Sequence, residues 1–150
     1  MDYPWAMIGR VKICIVSDSH DRADALERAV NDAAAEGAQA VIHCGDLIGA
    51  HTLRPALRAG IPMHVIHGNN LGDPLALHNL SRASGGLLHY HGPDARLELG
   101  GRIERVATVK GGSAWLVNPG TIAGLSAPAT WVLGDLDAMR YEVFKLSMAA

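Results

Sequence analysis

The sequence is poor in several residue types, and each shortage excludes something. There are only two cysteines, Cys14 and Cys44, in 150 residues. Two thiols on or beside expected buried strands cannot build a disulfide framework, so a reduced, cytoplasmic protein is expected. Charged residues make up 19%, the net charge is −2, and no block of Lys or Arg occurs. Nucleic acid and anionic membrane are therefore poor candidates for a main partner. No apolar run approaches the ~20 residues of a membrane span. The first ten residues hold no long apolar h-region, so no signal peptide is expected. Neither a G-x-G-x-x-G pattern nor a Walker lysine motif occurs, which counts against an unrelated nucleotide-binding module.

What is present is an ordinary globular balance, with apolar residues at 49%. The length suits one domain with a proper core. Residues 1–10 read as an N-terminal extension, with Met7 an alternative start, and residues 11–146 as a single domain.

The most informative stretch is residues 13–21. Ile13, Cys14, Ile15 and Val16 are apolar and mostly β-branched, as in a strand covered on both faces. Asp18 and His20 follow at its carboxyl end, where open α/β sheets place ligand sites. A hard oxygen beside a borderline nitrogen suits Mn, Fe, Zn or Ni better than Ca. The competing reading is capping, with Asp21 at the start of the next helix.

Residues 22–36 carry Ala25, Leu26, Ala29, Val30, Ala33 and Ala34 at helical spacing, and Gly37 stops the helix. Residues 40–43 form a second strand, followed by Cys44, Gly45 and Asp46. A short helix over 51–59 contains Pro55. Residues 62–66 form a third strand, followed by His67, Gly68, Asn69 and Asn70. Asp73 and Pro74 then open a helix running to about Ser84, in the cap and first-turn positions these residues favour. Such β-α alternation implies parallel strands with right-handed crossovers. The three strand ends thus bring Asp18, His20, Asp46 and Asn69 to one sheet edge. Beyond residue 86, short strands over 87–90, 95–99, 103–109, 114–117, 130–133 and 139–146 imply a mostly antiparallel second half.

Four motifs in order resemble the calcineurin-like metallophosphoesterases, in their small bacterial and archaeal phosphodiesterase branch. Asp18-x-His20 resembles the D-x-H signature, Gly45-Asp46 the G-D signature and Gly68-Asn69 the G-N signature. Asn118-Pro119-Gly120-Thr121 resembles the N-P-G-[ST] segment. The resemblance covers about residues 11–146 and implies an α-β-β-α sandwich. It also implies a hydrolase that attacks phosphoesters with a metal-activated water. Asp18 and His20 would hold the first ion. Asp46 would bridge two ions, and Asn69 would bind the second near the phosphate. The implied cofactor is a divalent metal, manganese first, with Fe, Ni, Zn or Mg as alternatives. The implied partner is a small phosphoester substrate, with a homo-oligomer as a further expectation.

The chain also departs from the family pattern. The family carries a later strand-H and then G-H-x-H, whereas all eight histidines here lie at or before His91. Residues 95–99 resemble the family strand before the first missing histidine, and residues 103–109 the strand after the pair. A strand-helix-strand unit of about 30 residues or more is thus missing near residues 101–103. Weakened activity is expected, or an inactive scaffold on the same fold, as in the retromer scaffold subunit. His89 and His91 read as surface or loop residues, with substitute metal ligands as the alternative. His43 reads as support for Asp46 or as a plain core histidine. His67 falls at a family-variable position. His51, His64 and His78 read as surface residues, and Trp115 and Trp131 as core.

Overall fold

The structure is a computed structural model. It describes residues 11–99 and 117–146, and the backbone of 102–107. The extension over 1–10, Trp115 and the strand over 114–117, up to residue 116, lie outside the described residues.

Strand β1 (Lys12–Val16) leads into helix α1 (Ala23–Ala35), β2 (Ala40–His43), a 3₁₀ turn (Ala50–Thr52) and helix α2 (Arg54–Leu57). Then come β3 (Met63–Val65), α3 (Pro74–Ala83), β4 (Leu88–Tyr90), β5 (Asp94–Leu99), β6 (Arg102–Ala107), β7 (Thr130–Asp135) and β8 (Arg140–Lys145). Six strands form one sheet in the order β4-β3-β2-β1-β7-β8, and β5 and β6 form a second, two-stranded sheet.

The β-α repeats do produce parallel neighbours, with β1 beside β2, β2 beside β3 and β3 beside β4. The expected boundary after residue 86 is shifted. Leu88–Tyr90 is the parallel edge strand of the first sheet, because the α3 crossover returns the chain alongside β3. Strands β7 and β8 extend the same sheet in antiparallel fashion from β1. Strand β5 pairs with β6 as an antiparallel ladder with Leu99 opposite Arg102.

Two cores sit on the two faces of the large sheet. Leu26, Val30, Leu53, Leu77 and Leu80 from the helical segments pack on Val16, Val41, Met63, Val65 and Leu88. Ala95 and Leu97 of β5 pack on Ile13, Ile15, Ala40 and Ile42 on the opposite face. Each fully buried Leu or Ile in these layers contributes roughly 1.5–3 kcal/mol. Trp131 is core, stacked on Phe144 with ring centroids 4.5 Å apart. Gly37 ends α1 at φ 93°, as its position after the helix requires. The cap of α1 is Arg22 rather than Asp21, whereas Asp73 caps α3 by accepting from the Ala76 amide at 3.0 Å. No helix among the described residues is long and apolar enough to cross a membrane.

Candidate metal centre

The turns after β1 and β2 continue the parallel pairing of their strands. The Cys44 amide donates to the Val16 carbonyl, Asp18 N–H to Gly45 O at 2.9 Å, and His20 N–H to Asp46 O at 3.1 Å. The Ile48 amide then donates to His20 O, and His20 forms a parallel bridge with Leu47. A ladder carried past the strand ends sets Asp18 and His20 beside Asp46. The ligand-type atoms of Asp18, His20 and Asp46 all lie within 4.8 Å of one another. His20 Nε2 is 3.9 Å from Asp46 Oδ2, and both side chains are largely sheltered but still accessible.

The backbone is strained where these side chains are presented. Four non-glycine residues among those described have positive φ: Asp18 (55°), His20 (47°), Asp46 (63°) and Met139 (51°). Each such residue costs of order 1–3 kcal/mol and persists only where its surroundings enforce it. Three of the four are the residues of the candidate metal cluster, so the strain falls at that cluster.

Two glycines permit the close approach of the turns. Gly45 has φ 105°, and a Cβ placed on it would collide with the backbone of His67 and Gly68. A Cβ on Gly68 would come 3.0 Å from the Asp46 amide nitrogen. The turn after β3 therefore presses directly on the turn after β2. The Asn70 amide donates to Asp46 Oδ1 at 3.0 Å, which leaves Oδ2 facing His20. Asn69 lies on this same turn, one residue before Asn70, with an exposed side chain. The expected convergence at one sheet edge thus holds for Asp18, His20 and Asp46, and Asn69 stands on the turn pressed against them.

Other residues support the cluster, and two of them, the segment over 118–121 and His43, are among those the sequence singles out. Thr121 Oγ1 donates to the Asp18 carbonyl at 3.2 Å, and the Ala123 amide to the same carbonyl at 3.1 Å. The segment containing Asn118-Pro119-Gly120-Thr121 therefore braces the Asp18 turn from the side. The backbone amide of Asn70 is invisible as a site element until the chain is folded. His43 is completely buried and joins the two ligand turns through Ser19 and Gly45.

The donor chemistry fits a divalent ion. Burial raises the proton affinity of Asp18, and the adjacent Asp46 adds to the effect through a hydrogen bond and its charge. A hydrogen bond from Ser17 and the charge of His20 oppose it. Two sheltered carboxylates beside an imidazole form a place where a cation relieves repulsion. The mixed oxygen and nitrogen set suits first-row transition ions. Burial, then the charge of Asp18, pushes the Cys44 thiol up to about 12, so it remains protonated beside the cluster.

Residues 11–111 match the model of the calcineurin-like phosphoesterase superfamily domain. The chain belongs to that superfamily. A solved archaeal phosphodiesterase shares its fold, with a TM-score of 0.79 at 18% identity, over 91% of this chain and 100% of that one. The E. coli phosphoesterase Yfce has a TM-score of 0.57 at 16% identity, over 93% of this chain and 100% of that one. No curated protein matches the chain. Family membership and the carboxylate-imidazole cluster together support a metal-dependent phosphoester hydrolase.

Proposed function

We propose that this chain hydrolyses small phosphodiesters or phosphomonoesters, with Asp18, His20 and Asp46 holding a divalent ion and Asn69 facing the phosphate. The observation that carries the reading is the convergence of two carboxylates and an imidazole on three positive-φ residues at one sheet edge. When bound, a manganese-type ion supplies Lewis acidity toward a phosphoryl oxygen and a nucleophilic water near neutral pH. Asp46 is oriented by the Asn70 amide and presents its second oxygen toward His20. Asn69 offers an amide that can donate to a phosphoryl oxygen. The protein works in the cytoplasm on a small soluble substrate.

We further propose that turnover is weak. The second half of the chain has no histidine after His91 to complete the ligand set. Loss of one pre-organised electrostatic group typically costs ~10²–10³ in rate, and several that act together cost more. One ion binds well and a second poorly. The scaffold reading is favoured by this same histidine distribution. Self-association would follow from the outer edges of the β5–β6 pair, which meet no further strand among the described residues.

The test is hydrolysis of bis-p-nitrophenyl phosphate with Mn²⁺. Low turnover is expected from the unaltered chain, abolished by Asp46→Asn. Inserting a strand-H…G-H-x-H unit between Gly101 and Ile103 is expected to raise it. Ion binding with no turnover in either form would favour the scaffold. Robust turnover by the unaltered chain would refute the weakened-enzyme reading.

A further inference from the structure

Three histidines gather away from the Asp18 cluster: His64 on β3, His89 on β4 and His91 just past the end of β4. Strand register places Ile15, Ile42, His64 and His89 in one row across the sheet. The row begins in the apolar core shared with β5 and ends in two imidazoles at the β4 edge. His91 follows His89 by two residues and so joins the same face. His64 Nδ1 and His91 Nε2 are 3.0 Å apart. The His64 and His89 rings stack with centroids 4.7 Å apart and planes 14° from parallel. All three residues are half-buried or reachable from solvent, and none takes part in the Asp18, His20 and Asp46 cluster.

We propose that His64 and His91 chelate one borderline divalent transition ion of the zinc, nickel or copper class, with His89 as a third imidazole that turns inward to complete the site. Two nitrogens each ~2.0–2.1 Å from a common ion stand about 3 Å apart at bond angles of roughly 90–110°. The observed nitrogen separation of 3.0 Å already matches that requirement. An all-imidazole set selects such ions and offers nothing to calcium or magnesium. Ligation also needs neutral rings. Burial, then repulsion from His89 and His91, pushes His64 down to about 4. Burial and then His89 lower His91 as well, so protons compete little for these nitrogens at neutral pH. A hydrogen bond between the two rings uses one N–H and one lone pair. An ion between them engages both lone pairs.

The experiment is calorimetric titration of the full chain carrying Asp18→Asn and Asp46→Asn with Zn²⁺. One zinc per chain is expected to remain. His64→Asn or His91→Asn in that background should weaken binding by at least ~10–100-fold, the range for lesser perturbations of metal sites. His89→Asn should weaken it less. In the otherwise unaltered chain, His91→Asn should lower the zinc stoichiometry by one. X-ray absorption at the zinc edge should show at least two imidazoles in the double Asp→Asn protein. Absence of stoichiometric zinc, unchanged affinity in both histidine variants, or an oxygen-only ligand shell would each overturn the proposal. None of these readouts uses phosphoester turnover, so the site stands or falls apart from the proposed function.

Discussion

His43 Nε2 lies 2.8 Å from Ser19 Oγ, deep in the protein between the two turns that carry the ligand cluster. On its other side the Gly45 amide donates to His43 Nδ1 at 3.0 Å. Accepting at Nδ1 leaves the ring proton on Nε2, so the neutral ring donates to the Ser19 hydroxyl. One imidazole thereby ties the residue between Asp18 and His20 to the residue before Asp46. His43→Leu orphans both buried partners at about 1–3 kcal/mol each. Ser19→Ala orphans fewer groups and should cost less. His43→Leu is also expected to weaken Mn²⁺ binding by ~10–100-fold, as loss of a ligand-orienting group does. Urea unfolding and metal titration of both variants and the double mutant check this. Additive effects would contradict the tie.

The same ring sets an acid-side stability limit. Burial pushes His43 down to about 4 from its ordinary 6.5, against a smaller upward pull from Asp46. Between those values the unfolded chain binds a proton that the folded chain does not, so stability falls as pH drops from 6.5 toward 4. It is fully present above 6.5. The expected loss across that window is at most ~3 kcal/mol from this residue. His64 and His91, both lowered by burial and histidine neighbours, act in the same direction. Urea midpoints measured across the window in ion-free buffer should fall less steeply in His43→Asn than in the unaltered chain.

Asp46 and Asn69 should differ in weight. Asp46→Asn keeps an oxygen able to accept from the Asn70 amide but removes the charge facing His20. Asn69→Ala removes a neutral, exposed group. Calorimetry with Mn²⁺ is expected to show the larger loss for Asp46→Asn. Two equally tight ions in the unaltered chain would contradict the reading of one good site and one poor one.

Gly45→Ala should disrupt the centre without touching a ligand. The residue sits at φ 105°, and the added methyl would drive into the backbone of His67 and Gly68. Strain at such positions costs of order 1–3 kcal/mol before the clash is counted. A loss of folding stability at least that large is expected in urea unfolding, with weaker Mn²⁺ binding. Unchanged stability would mean that the two turns are not pressed together.

The sequence by itself determined the parallel half and the edge that carries the candidate cluster. Apolar runs ending in Asp18 and His20, in Asp46 and in Asn69, separated by helical periodicity, leave right-handed crossovers as the economical solution. Such crossovers put every strand's carboxyl end on one side. Beyond residue 86 the expected antiparallel pairing holds for β5 with β6 and for β7 with β8, but not for Leu88–Tyr90. Leu88–Tyr90 is three residues long and alternates no differently from an antiparallel strand, so only the α3 crossover, which returns the chain parallel to β3, decided its direction. The histidines show the same division. His43 could be read as site support or as core, and it is both, because one buried ring must satisfy two partners from different turns. His64 reads as a surface residue from its own strand. It meets His89 and His91 only because β3 and β4 pair in a particular register. Local pattern fixes which face a side chain takes, while contacts between distant segments depend on register and packing that arise only when the whole sheet forms.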